Sequence, residues 1–338
     1  MLIVALMALG AVCAVWMAGA LYQLAWTVLD SRRFPPPGRL VDVGGHRLHA
    51  HVTGEGLPTV LFESGIAASS VSWEPVRREV AKFTRVCTYD RAGLGWSDAA
   101  QAPRTVDNVL HDLRELLQKI GMDGPFILVG HSFGGLTALQ FACRHAGELA
   151  GLVLVDPLPA SEWCPAQPVE VEKLHRGVKL ARRGASLASL GVVRLSLDLL
   201  RAGSRRIPKL AARMSARGGG TRLTERLVGE VRKLPPELWP VIQSHWCQPK
   251  SFRSMASHLE SLPASAAACL ADCNLGRLPV IVVSAADSTP ARAEMHSRMA
   301  NSSSNGAMWV AEKSGHWIQL DQPELVVAAI RKIIDSAR

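Results

Sequence analysis

The sequence predicts an α/β fold, a mostly parallel sheet covered by helices on both faces. Short apolar runs alternate with helical patterns along most of the 338 residues, the order that parallel strands with crossover helices require. A composition of 48% hydrophobic and 20% charged residues is that of a folded chain. One interval, 157–277, breaks the alternation, holds no convincing strand and reads as a helical insertion.

The elements follow in order. Residues 2–29 carry no charged side chain, and as a helix would extend roughly 42 Å at 1.5 Å per residue. That exceeds a hydrocarbon core of roughly 30 Å, so a tilted single-pass anchor over 1–30 is expected. A cleaved signal peptide is the alternative, since Ala18-Gly19-Ala20 resembles a small-residue cleavage site. Against it, no Lys or Arg precedes the apolar run, which continues past that site. Arg32, Arg33 and Arg39 follow the span, which favours the cytoplasmic side for the rest of the chain. Residues 31–38, with Pro35-Pro36-Pro37-Gly38, form a stiff linker before the main domain at 39–338.

Residues 39–52 alternate like a hairpin turning at Gly44-Gly45. Strands are expected near 58–63, 84–89, 125–130, 151–156, 279–284 and 307–311. Helices are expected near 72–83, 105–120, 133–146, 290–300 and 322–336, the last opened by Asp321 and Pro323. The seven cysteines are scattered and form no C-x-x-C pair, so no zinc site is expected and disulfides are not demanded. Cys87 and Cys143 fall in apolar strand and helix patterns and read as free core thiols.

The net charge of +9 sits almost wholly in the insertion, where 19 Lys and Arg face 9 Asp and Glu. Arg201, Arg205, Arg206, Lys209, Arg213 and Arg217 make a basic run with no nucleic-acid reader motif or stacking aromatics beside it. Nucleic-acid binding is not expected. Beside a membrane anchor, attraction to anionic lipid headgroups is the better reading, with a solvated helix face as the plain alternative.

The chemistry starts at Phe126–Ala142. Gly130-His131-Ser132-Phe133-Gly134 lies between an apolar strand and a helix. Glycines two residues either side of Ser132 suit a strained turn that lifts its hydroxyl above the sheet edge. A serine needs a base, and His316 lies in the loop between the last strand and the last helix. Two acids end apolar strands ahead of it, Asp156 after Leu152–Val155 and Asp287 after Pro279–Ser284. Either gives the order Ser, Asp, His. The loop of Asp287 is the usual acid position in this architecture, so Asp287 is preferred and Asp156 kept as the alternative.

Taken with Tyr89-Asp90-Arg91-Ala92-Gly93-Leu94-Gly95-Trp96-Ser97-Asp98, these features resemble an α/β-hydrolase-fold protein of the cap-bearing esterase and lipase-like branch over residues 39–338. The resemblance implies a helical cap at about 157–277, covering the site with Leu195, Leu197, Leu199, Leu200, Trp239 and Trp246, which serve as its own core or meet a lipid-like chain. It implies Ser132, Asp287 and His316 as a catalytic triad, with no cofactor and no metal. Asp90, Arg91 and Asp98 read as structural. Backbone N–H groups of Phe133 and of Ile66 or Ala67 would form the oxyanion hole, although Phe62-Glu63-Ser64-Gly65-Ile66-Ala67-Ala68 lacks the common His-Gly start. Glu63 needs a partner if buried, and Arg91 is a candidate. The expected function is a membrane-anchored serine hydrolase of carboxylic esters, its partners a small or lipid-like ester and the membrane through 2–29. The alternatives are a non-catalytic tethered binding protein, or the same triad used on thioesters, amides, C–C bonds or perhydrolysis.

Overall fold

The computed structural model describes residues 1–201, 230–269 and 273–336. Five of the basic-run residues, Arg205, Arg206, Lys209, Arg213 and Arg217, lie outside them, as do the side chains of Leu200 and Arg201. The chain divides into two compact units. One joins 36–175 to 257–338 and holds the sheet, and the other joins 1–35 to 176–256.

In the sheet unit the strands are β1 (Arg39–Asp42), β2 (Arg47–Thr53), β3 (Thr59–Glu63), β4 (Val86–Tyr89), β5 (Phe126–His131), β6 (Leu149–Val155), β7 (Val280–Ala285) and β8 (Gly306–Ala311). Their order across the sheet is β1-β2-β4-β3-β5-β6-β7-β8. β1, β2 and β4 pair antiparallel, and every pairing from β4 through β8 is parallel. The β1–β2 turn uses Gly44 and Gly45 at φ +98° and +96°. Both N–H groups donate to Asp42 Oδ1, at 2.8 and 3.3 Å. Few residues other than glycine adopt that backbone without strain.

Strand side chains alternate between two cores. Leu61, Cys87, Leu128 and Leu152 face one, with Leu113 and Leu116 of α3 (Val106–Lys119) and Phe141 of α4 (Phe133–His145). Val60, Phe62, Val129 and Val153 face the other, with Val76 and Val80 of α2 (Glu74–Val80). The sheet is therefore covered on both sides, which explains the unbroken apolar runs of its parallel strands.

The insertion contributes α5 (Pro168–Ser189), α6 (Val192–Arg201), α7 (Trp239–Trp246) and α8 (Pro249–Ala268). Among the described residues of 157–277 there is no strand, only an isolated bridge between Trp163 and Ala166. Then come α9 (Pro290–Ala300), the short α10 (Ile318–Asp321) and α11 (Pro323–Ser336). The cap for α9 is Thr289, whose side chain accepts from Arg292 N–H at 3.3 Å.

The N-terminal helix α1 (Leu2–Arg33) falls in one unit with 176–256. One expectation changes here. Cys143 is not a free thiol but forms a disulfide with Cys273. A partner 130 residues away is invisible to spacing rules. Cys87 is free and buried, and that burial pushes its thiol up to about 12.

Candidate active site

Register puts the site together. Across the sheet His131, the last residue of β5, pairs with Val155, the last residue of β6, and Val155 pairs with Val283 of β7. Ser132 and Asp156 are the next residues on adjacent strands. Ser132 N–H donates to Val155 O at 3.1 Å, and Leu158 N–H donates to Ser132 O at 2.9 Å. Both residues hold a left-handed backbone, Ser132 at φ +56° and Asp156 at φ +40°. Such conformations cost on the order of 1–3 kcal/mol each and persist where surroundings force them.

The elbow at Ser132 is forced by close packing. A Cβ on Gly134 would lie 2.4 Å from Glu63 O, and one on Gly130 would lie 2.3 Å from Gly134 O. Those contacts leave room for glycine alone at either side of the serine.

His316 is half-buried, and its Nδ1 lies 2.6 Å from Asp156 Oδ2. The carboxylate hydrogen-bonded to His316 is thus the alternative acid, Asp156, where the sequence prefers Asp287. Asp287 is exposed, in the turn after β7, with its carboxylate 3.4 Å from where a Cβ on Gly315 would stand. Strand order does not decide this, because β7 lies between β6 and the β8 that leads to His316; the hydrogen bond does. Asp156 is further tied by Ala285 N–H, which donates to its Oδ1 at 3.2 Å. Burial works to raise the Asp156 carboxyl, but the His316 hydrogen bond and the Ala285 N–H outweigh it and hold it below its usual value. An ionised carboxylate can only accept, so Nδ1–H of His316 donates and Nε2 is left as the basic nitrogen.

His131 supports this arrangement from behind. Its Nε2 lies 2.8 Å from His316 O, and the two rings stand 4.6 Å apart. Burial, then the nearby His316, push His131 down to about 3, so its ring is neutral. Nε2–H must therefore donate to the His316 carbonyl. His296 of α9 likewise holds a backbone carbonyl, with Nε2 2.9 Å from Pro157 O and Nδ1 2.9 Å from Ser284 Oγ. It pins the Pro157–Leu158 peptide, one residue beyond Asp156.

The loop after β3 lies against the elbow, since a Cβ on Gly65 would stand 3.0 Å from His131 Nδ1 and 3.6 Å from Ser132 Cβ. Behind it, buried Arg91 pairs with Glu63 at 3.2 Å, and its guanidinium donates to Gly65 O. Tyr89 OH donates to the same Glu63 carboxylate. Burial pushes Glu63 above its usual value, while Arg91 and Tyr89 pull it back. In a trans peptide the C=O and the next N–H point in opposite directions. With Gly65 O turned to Arg91, the Ile66 N–H points away from it. Arg91 also sits 5.0 Å over the Phe133 ring. One guanidinium thus touches both segments expected to supply oxyanion donors, a link that sequence spacing did not suggest.

The Tyr89–Asp98 loop is structural scaffolding. Asp90 accepts from Ser70 N–H at 2.7 Å and Trp96 N–H at 3.1 Å, and lies 2.9 Å from His49 Nδ1. Gly95, at φ +50°, comes so near the Asp90 carboxylate that a Cβ there would collide with it. Asp98 holds Arg47 at 2.7 Å.

With this geometry, the chain belongs to the alpha/beta hydrolase fold family, whose description matches residues 58–323. Among solved structures it is similar to a thermophilic esterase from Thermogutta terrifontis, with a TM-score of 0.61 and 22% identity over 89% of this chain and 99% of that one. It is also similar to the enol-lactonase from Burkholderia xenovorans LB400, with a TM-score of 0.60 and 20% identity over 88% and 100%. The epoxide hydrolase CorEH shares the fold, with a TM-score of 0.61 and 18% identity over 89% and 99%. Among curated proteins, uncharacterized YqjL of Bacillus subtilis strain 168 is 35% identical over 126 residues, which is 37% of this chain and 49% of YqjL. The match spans about half of that relative's length.

Proposed function

We propose that this chain is a serine hydrolase that cleaves carboxylic esters through Ser132, His316 and Asp156. One observation carries the reading: the 2.6 Å contact of His316 Nδ1 with Asp156, beside a serine in a left-handed elbow. Ser132 Oγ attacks the ester carbonyl while His316 Nε2 takes its proton, and Asp156 steadies the resulting imidazolium. The N–H groups of Phe133 and Ile66 receive the oxyanion. The alcohol leaves with the proton from His316. Water, deprotonated by the same nitrogen, then releases the acid and restores the serine. A serine at 132 favours this acyl transfer over epoxide or haloalkane opening, which needs a carboxylate nucleophile.

The test is fluorophosphonate labelling of full-length protein, with turnover of p-nitrophenyl and acylglycerol esters of graded length. Wild type takes the label and turns over esters, and Ser132→Ala does neither. Folded Ser132→Ala with intact turnover would sink the mechanism.

The chain is anchored by α1, the one described helix long and apolar enough to cross a membrane. The side of the catalytic unit has two opposed indicators. Arg32, Arg33 and Arg39 favour the cytoplasm, whereas the Cys143–Cys273 disulfide fits an oxidising compartment. The disulfide is the stronger ground for a second reading, an extracytoplasmic domain, since cytosolic thiols are kept reduced. Protease access to intact cells against permeabilised ones separates the two.

A further inference from the structure

α1 changes character along its length. Residues 1–18 are exposed on every side. From Gly19 onward one face is buried within the unit formed by 1–35 and 176–256. Gly19 lies so close to Leu190 that a Cβ there would stand 2.4 Å from its carbonyl oxygen. A Cβ on Gly191 would stand 2.7 Å from the Tyr22 ring.

Four further positions on this face carry polar contacts. Tyr22 OH donates to Asp198 of α6 at 3.2 Å, and Gln243 of α7 donates to the other oxygen of that carboxylate at 2.6 Å. Gln23 donates to Cys247 O at 2.9 Å and accepts from Arg194 Nε at 3.3 Å. Thr27 meets Gln23 at 3.1 Å. Asp30 forms an ion pair with Arg194 at 2.7 Å, and both side chains are at least nine-tenths buried. Arg194 also stands 5.9 Å over the Trp26 ring. Positions 19, 22, 23, 26, 27 and 30 fall on one stripe of a helix of about 3.6 residues per turn.

The opposite stripe is apolar and uncovered. Leu21, Leu24, Val28 and Leu29 are 60%, 61%, 45% and 44% exposed. They continue the exposed run of residues 2–18 without a break, and exposed Arg32 and Arg33 follow directly.

We infer that α1 from Gly19 to Asp30 is a strut of the cap helices, with its Leu21–Leu24–Val28–Leu29 face lying against the acyl chains of a phospholipid bilayer. This rests on reading α1 as a membrane helix. A segment of 17 residues, 2–18, spans only about 26 Å, short of a roughly 30 Å core, so the apolar face of the strut supplies the remaining depth, Leu21 for an upright helix and Leu24, Val28 and Leu29 for a tilted one. The polar face is satisfied by Arg194, Asp198 and Cys247 O and is never presented to lipid. Arg32 and Arg33 then stand at the headgroup level, where anionic lipids attract them.

The test uses full-length protein in liposomes of phosphatidylcholine and phosphatidylglycerol. Cys13, Cys164 and Cys269 are replaced by serine, and an NBD fluorophore is attached at Val15→Cys, Leu24→Cys, Val28→Cys or Glu55→Cys. The expected result is blue-shifted emission at 15, 24 and 28, quenched by doxyl-labelled lipids, and water-like emission at 55. Quenching at 15 with water-like emission at 24 and 28 would overturn the strut's lipid face. Blue-shifted but unquenched emission at 24 and 28 would overturn it in favour of a protein partner, such as a second copy. Water-like emission at 15 as well would overturn the membrane reading of α1 itself.

Discussion

Asp156 sits where two demands meet. It must leave β6 in a left-handed backbone and still aim its carboxylate at His316. Asn at this position would keep the shape but lose the charge that fixes the His316 tautomer. Asp156→Asn is expected to lower kcat on a p-nitrophenyl ester by about 10⁴-fold, with Asp287→Asn within a few-fold of wild type. The reverse ranking would restore Asp287 as the acid. His131 makes a separate prediction. Its folded-state value, about 3, is depressed from 6.5, so the unfolded chain binds the proton first as pH falls. Its contribution to stability is complete above about pH 6.5 and shrinks by about 1.4 kcal/mol per pH unit towards pH 3. His131→Asn keeps a donor for His316 O but does not titrate, so denaturant midpoints measured across that range should fall less steeply in the variant.

At the scale of elements, the β3 loop and α1 each depend on a buried ion pair. Arg91→Met would strand the Glu63 carboxylate and cost about 3–5 kcal/mol. Adding Glu63→Gln should recover much of the stability, read as the urea midpoint. It should not recover turnover, because Gly65 O has still lost its Arg91 donor and is left with the Ala68 N–H, at 3.2 Å, to orient the Ile66 N–H. A loss of about 10²–10³-fold in kcat is expected for the double variant. In α1, Asp30→Leu or Arg194→Leu alone should speed tryptic cleavage within 176–256, and the two together should be milder than either. That is the signature of an uncompensated buried charge. The alternation of Val60, Leu61 and Phe62, and the glycines around Ser132, made these elements and the elbow readable from sequence. Asp156 and Asp287 could not be ranked that way, because each ends an apolar strand. What separates them is the hydrogen bond of Asp156 with His316, a contact across 160 residues that no local pattern records.

For the molecule as a whole, the sheet, its two cores and the insertion follow from hydrophobic period and turn chemistry. Long-range links do not. Cys143–Cys273 closes 130 residues, and removing it with Cys143→Ser and Cys273→Ser should cost about 2–5 kcal/mol of stability. Alkylation of the wild-type protein tests the compartment, with this variant as the blank. If the domain is extracytoplasmic, protein from cells should resist thiol alkylation at these two positions until a reductant is added. Immediate alkylation of both would return the catalytic unit to the cytoplasm. The union of α1 with 176–256 was equally hidden, since an uncharged run reads as one span until the partners of Gln23 and Asp30 are known.

The proposed triad, with its acid at Asp156, also sets a timetable for synthesis. Nucleophile and acid both precede the insertion, whereas His316 follows it. A growing chain therefore leaves the ribosome with Ser132 and Asp156 in hand and no base to activate the serine. On the proposed mechanism, chains that stall anywhere in the cap remain chemically silent, and only translation past residue 316 arms the site.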